Sequence, residues 1–182
     1  MKKILYFSLT AMLILAVALS GCGGGNSGGG GLDATPSWKV VGSAGFSANQ
    51  AGYTSIAINR SDVPYVVYGD YGKSNKATVM KFNGTSWETV GNAGFSADDA
   101  YSTSIAINDS GVPYVVYCDY GNSFKATVMK FNGTSWETVG IAGFSAGQAN
   151  NTSIAIDGSG VPYVVYGDSG NSSKATVMKY AR

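Results

Sequence analysis

Apolar and polar positions along this chain keep one rhythm, and it is not helical. From residue 37 onward, short runs of Val, Ile, Tyr, Thr and Trp alternate with clusters of Asn, Gly, Ser and Pro. That is the mark of short strands joined by turns. No window shows the three–four spacing of an amphipathic helix. The pattern predicts four strands per unit, in the first instance over 55–59, 64–70, 76–82 and 86–90. Asn83-Gly84-Thr85, repeated at Asn132-Gly133-Thr134, predicts a hairpin whose two central residues both take positive φ. Asp109-Ser110-Gly111 and its equivalents turn the first strand into the second. Pro64, Pro113 and Pro162 open their strands, where a missing amide donor is tolerated. The second and third strands are apolar on both faces, Tyr65 and Val67 one way, Val66 and Tyr68 the other. A sheet apolar on both sides must lie between neighbours.

The rhythm recurs every 49 residues, marked by Trp38, Trp87 and Trp136. The repeats run over 37–85, 86–134 and 135–182, and the last two agree at 35 of 48 ungapped positions. Such near-identity argues for a scaffold rather than one specialised centre. A period of this size marks solenoids, propellers or arrays, in which one unit cannot bury its apolar face alone. Over 37–182 the chain resembles the β-propeller superfamily. The kelch glycine doublet and the WD dipeptide are absent. The Asp-box pattern is met only by Asp109-x-Gly111-x-Pro113-Tyr114, since Arg60 and Gly158 take the Asp position elsewhere. The resemblance implies an all-β fold of three four-stranded antiparallel blades. Trp38, Trp87 and Trp136 are expected in the repeat core, with Phe46, Phe95 and Phe144 of A-G-F-S-A as plugs between blades. The domain opens with a fourth strand, 37–42, and ends with a third, 174–180. The N-terminal strand is therefore expected to complete the last blade. Propellers have four to eight blades. Three must close as a tight ring or join a second copy as half of a six-blade homodimer, and the homodimer is favoured.

The N-terminus carries a second pattern. Met1-Lys2-Lys3 is a basic start, 4–19 an apolar run, and small residues follow, as in a secretory signal too short to span a membrane stably. Leu19-Ser20-Gly21-Cys22 resembles the lipobox of bacterial lipoproteins. The resemblance implies removal of 1–21 as a signal peptide and acylation of Cys22 with palmitate-type chains. Gly23 rather than Asp after that cysteine favours the outer membrane where the envelope has two. Residues 22–36 then form a tether, whose Gly-rich run 23–31 reaches on the order of 15–20 Å. With Cys22 acylated, Cys118 is left without a disulfide partner. It replaces the glycines at 69 and 167 and reads as a drifted position.

Composition narrows function by exclusion. Without Lys2 and Lys3, the 12 Lys+Arg become 10 against 11 Asp+Glu, which gives no basic face for nucleic acid. The chain has no His, the commonest general base and metal ligand. Neither a cofactor nor a metal is expected. The 4→1 and 2→3 connections share one rim, where the repeats differ most, so binding is expected there. Asp70, Asp119 and Asp168 recur on it. They read as a ring of carboxylates for a cation or sugar hydroxyls, or as Asx turns or ion pairs with Lys76, Lys125 and Lys174. Asp98 and Asp99 join them, and Tyr53, Tyr71, Tyr101 and Tyr120 suit stacking on sugar rings. Glu88 and Glu137 follow a Trp on outer strands, and Arg60 and Arg182 alone cannot form a sialidase-like cluster. No catalytic constellation emerges. The reading is a lipid-anchored, extracytoplasmic binding or scaffolding module for a glycan or protein. The alternatives are a glycan hydrolase or lyase on the same scaffold, or an amplified or truncated repeat fragment.

Overall fold

The computed structural model describes residues 35–181. The expected signal segment, Cys22 and all but the last residues of the tether lie outside the described residues. Sheet one comprises β1 (Ala51–Ile58), β2 (Pro64–Asp70), β3 (Lys76–Phe82) and β4 (Trp87–Thr89). Sheet two comprises β5 (Ala100–Ile107), β6 (Pro113–Asp119), β7 (Lys125–Phe131) and β8 (Trp136–Thr138). Sheet three comprises β9 (Ala149–Ile156), β10 (Pro162–Asp168) and β11 (Lys174–Lys179). All pairs are antiparallel and follow chain order within each sheet. The all-β, blade-like class is therefore correct.

Three expectations need correction. The first strand of each unit starts earlier than predicted, because the chain pairs up to Ala51↔Asp70 beyond an irregularity between Gly52 and Ser55. In the Asn-Gly turn only Gly84 has positive φ, at 97°. Asn83 works through its side chain instead, its Oδ1 accepting from the amides of Thr85 at 3.0 Å and Ser86 at 2.9 Å. Lastly, 37–41 is not a strand, and sheet three has only three strands within this chain. Trp38, expected in the core, is fully exposed, as are Val40 and Val41 to a large degree. An isolated strand has no partner for its backbone groups, so this segment gains nothing by extending alone.

The three sheets enclose two apolar layers, and sheet two feeds both. Tyr65, Val67 and Val79 of sheet one meet Ile105, Val115 and Tyr117 of sheet two. On its other face, sheet two sends Tyr114, Val116 and Val128 against Ile154, Val164 and Tyr166 of sheet three. All seven residues of β6 are therefore buried. The outer sheets lack one neighbour, and their free faces expose Ile56 and Ile58 at one end and Val165 and Val177 at the other.

Candidate functional site

The second strand of each sheet ends in an Asp that starts a short 3-10 turn. Asp70, Asp119 and Asp168 precede Tyr71–Lys73, Tyr120–Asn122 and Ser169–Asn171. All three are buried. Asp70 Oδ1 accepts from Gly72 N at 3.0 Å, and its Oδ2 from Thr78 Oγ1 at 3.3 Å. Asp168 accepts from Gly170 N at 2.9 Å, Asn171 Nδ2 at 2.7 Å and Thr176 Oγ1 at 3.0 Å. These bonds hold the carboxyl of Asp168 below its ordinary pKa, the Asn171 amide contributing most. Asp119 Oδ2 takes Asn122 Nδ2 at 2.8 Å and Thr127 Oγ1 at 2.7 Å, while its Oδ1 has no partner. Each carboxylate thus ties the turn to the third strand of its own hairpin. No ion pair joins Asp70 to Lys76, although they face each other in the register. Among the described residues, no three acidic or thiol groups gather as a metal site.

Aromatic residues also gather, at the rim between sheets one and two. Tyr101 from β5 meets Tyr53 from β1 edge-on at 5.5 Å between ring centres. It also meets Tyr120 at 6.4 Å and Phe124 at 6.0 Å. Tyr120 and Phe124 stand perpendicular, 5.1 Å apart. The Tyr101 hydroxyl donates to Asp99 Oδ2 at 2.9 Å, and that bond raises the phenol's pKa. Asp98 Oδ1 accepts from Asp99 N at 2.9 Å, and Asp99 O from Tyr120 N at 3.1 Å, so the acidic pair buttresses the group. Tyr53 and Tyr120 are about half exposed, at 46% and 50%. The cluster is a shelf spanning the rims of sheets one and two.

The structure therefore brings together Asp98, Asp99, Tyr101 and Tyr120 of the predicted rim. Asp70 and Tyr71 belong to the first repeat's hairpin, where the Tyr71 ring lies over Gly52. Asp168 belongs to the third. Phe124 was not foreseen. It stands where the sister repeats carry Asn75 and Ser173, and the signal was its neighbour Cys118. Asn75 is buried beside Gly69, where an added Cβ would meet Asn75 Oδ1 at 2.5 Å. In the second repeat Cys118 takes that room, with Sγ 3.2 Å from Phe124 O, and a Phe stands on the rim. Burial, and after it Asp119, pushes the Cys118 thiol up to about 11.

Two members of the shelf hold costly backbone. Tyr53 has φ +54° and Phe124 φ +62°, a region bulky side chains avoid and Asn enters more readily. The same two backbone positions in the third repeat are Asn151 and Ser173, also at positive φ. The scaffold imposes the conformation, and the first seam alone places rings on it.

The carboxylates a hydrolase would use are occupied elsewhere. Glu88 pairs with Lys81 at 3.1 Å and Glu137 with Lys130 at 3.2 Å, on the fourth strands. Lys81 and Asn83 lower the pKa of Glu88, and Asn132 and Lys130 lower that of Glu137.

No protein-family model matches the chain, and no curated protein matches its sequence. Among solved structures, a fucose lectin from Kordia zhangzhouensis in complex with methyl-fucoside is similar over 71% of this chain and 99% of its own. The two share 14% sequence identity, with a TM-score of 0.46.

Proposed function

We propose that this chain is a lipid-anchored, extracytoplasmic module that binds a glycan on the aromatic shelf between its first two sheets. The observation that carries the reading is the shelf itself: Tyr53, Tyr101, Tyr120 and Phe124 converge there, two of them on strained backbone. A non-glycine residue kept in a sparsely populated region costs on the order of 1–3 kcal/mol and collects at functional positions. Exposed Tyr and Phe rings give the apolar C–H face of a sugar a rigid surface at small entropic cost. Asp98 and Asp99 beside the rings supply acceptors for hydroxyls. Asp70, Asp119 and Asp168 serve their own turns in this account.

The protein binds without turnover. Glycoside hydrolysis needs two carboxyl groups flanking one bond, and Glu88 and Glu137 lie on separate fourth strands, each committed to a lysine. The lipobox at Leu19-Ser20-Gly21-Cys22 and the Gly-rich run after it support display from a membrane, the outer one where there are two. Two copies complete one ring of six sheets.

A glycan array probed with the full chain in mild detergent tests the binding reading. At least one sugar class is expected to bind, and Tyr120→Ala to weaken it. An array without a hit, or one unchanged by Tyr120→Ala, overturns it. For the anchor, Cys22→Ala is expected to abolish incorporation of a palmitate analogue, and equal labelling of both proteins contradicts it.

A further inference from the structure

The two seams inside the chain are built to one plan. In each, the Trp that opens a fourth strand lies flat on a Phe of the repeat before it. Trp87 stacks on Phe46 at 4.2 Å and Trp136 on Phe95 at 4.1 Å. Each indole Nε1 donates to a valine carbonyl, Val41 O at 3.1 Å and Val90 O at 2.8 Å. A ring from the third strand, Phe82 or Phe131, closes the group at 5.6 Å. One repeat further on, the same parts stand with no indole between them. Phe144, Val139 and Tyr180 occupy the positions of Phe95, Val90 and Phe131, and with Val164 and Met178 they line a cleft of about 340 Å³.

The edge beside that cleft is bare in the same way. Ala77, Val79, Ala126 and Val128 on the third strands of sheets one and two are 0–4% exposed, packed against the next sheet. The outer edge of each of those third strands is also paired, by the stretch after the Trp, whereas β11 has no such partner among the described residues. Val90 N donates to Val79 O at 2.9 Å and Phe95 N to Ala77 O at 2.8 Å. The second seam repeats this with Val139 to Val128 at 2.8 Å and Phe144 to Ala126 at 2.9 Å. Ser96 Oγ and Ser145 Oγ accept from Ala77 N and Ala126 N at 2.9 and 3.0 Å. The matching stretch of the first repeat, with Trp38, Val41, Phe46 and Ser47, has no third strand before it in the described residues, and Trp38 is fully exposed. Trp38 and its socket are thus both present and both unused.

We infer that the N-terminal stretch 37–47 of one copy forms the fourth strand on β11 of a second copy, seating Trp38 over the second copy's Phe144. The inference extends the two-copy reading above to a residue-level seam, and it stands whether or not the shelf binds a glycan. The register follows from Thr89↔Met80 and Glu88↔Lys81: Val40 faces Met178 and Lys39 faces Lys179. One pair departs from the plan. Glu88 and Glu137 form ion pairs with their lysines, whereas Lys39 meets a like charge, which is unfavourable in directly opposed strand positions. The seam between copies is therefore looser than the seams within one.

Cross-linking the full chain in mild detergent tests this. Val40→Cys and Met178→Cys chains are made separately, mixed and gently oxidised, with the parent chain and its own Cys22 and Cys118 as background. The pair sits between hydrogen-bonded positions, where Cα atoms lie about 4.5 Å apart, within disulfide reach. The mixture is expected to give a species of two-chain mass well above the parent background. Trp38→Ala should cut its yield several-fold, with unchanged circular dichroism, and Lys39→Glu should raise it. No cross-link from an assembly that light scattering weighs at two chains overturns the seam and leaves the two-copy reading intact. A one-chain mass overturns both. A chain carrying both cysteines that closes within itself, or builds a ladder beyond two chains, also overturns the inference.

Discussion

The seam between sheets one and two and the seam between sheets two and three share a core and differ at the rim. Tyr65, Val67, Val115 and Tyr117 in the first are answered by Tyr114, Val116, Val164 and Tyr166 in the second. At the rim, Tyr53, Tyr101, Tyr120 and Phe124 are answered by Ser102, Asn150, Ser169 and Ser173. The packing that makes the sheets stack is held constant, and the chemistry above it is free to change. A repeat protein can therefore specialise one seam without altering the architecture that presents it.

The core half of that comparison has the largest expected effect. Ile105 and Ile154 are 5% and 8% exposed at matching positions. Ile105→Ala and Ile154→Ala should each cost about 2–5 kcal/mol, and urea titration should find similar losses. A large loss in one and almost none in the other would break the equivalence of the two seams.

The rim half predicts asymmetry. Replacing Tyr120 and Phe124 together by Ser, the residue at both positions of the third repeat, should remove about 1–3 kcal/mol of glycan binding, roughly 5- to 150-fold in Kd. Ser169→Ala should leave binding unchanged. Calorimetric titration with an array hit checks both.

Cys118 gives the middle sheet a pH signature that neither Gly69 nor Gly167 gives the outer ones. Its thiol is pushed up to about 11 by burial, so the folded chain keeps a proton that the unfolded chain loses from about pH 9. The unfolded state then binds fewer protons, and stability falls as pH rises through 9 to 11. The slope approaches 1.4 kcal/mol per pH unit at most, a rough ceiling for one group. Cys118→Gly, matching Gly69 and Gly167, should make the fall near pH 9 shallower, where tyrosines, ordinarily near 10, contribute least.

The smallest effect concerns backbone strain. Phe124→Asn places a residue tolerant of positive φ at +62°, and should raise stability slightly while weakening glycan binding. Thermal unfolding of the two proteins decides it, and a lower midpoint for the variant would contradict the strain argument.

Much of the fold was legible in the sequence. The bounds of β2 and β3 follow from Pro64 at one end and the Asn-Gly turn at the other, and apolar residues on both faces required stacked sheets. The early start of β1 was hidden because Gly52, Tyr53 and Thr54 break the alternation where the register slips. Trp38 misled because its local sequence is that of Trp87, while burial depends on which strand lies beside it. The candidate site was half legible. Tyr101 and Tyr120 stood out as aromatics at variable rim positions. Phe124 did not, because its place on the rim depends on Cys118 filling the space that Asn75 fills one repeat earlier.

The measurement that tests the shelf most directly is an amide chemical-shift titration of the chain with a sugar found on the array. The account predicts perturbations confined to the surroundings of Tyr53, Asp99, Tyr101, Tyr120 and Phe124, with Ser102, Asn150, Ser169 and Ser173 unmoved. Perturbations centred on the second seam, or spread equally over both, would contradict it.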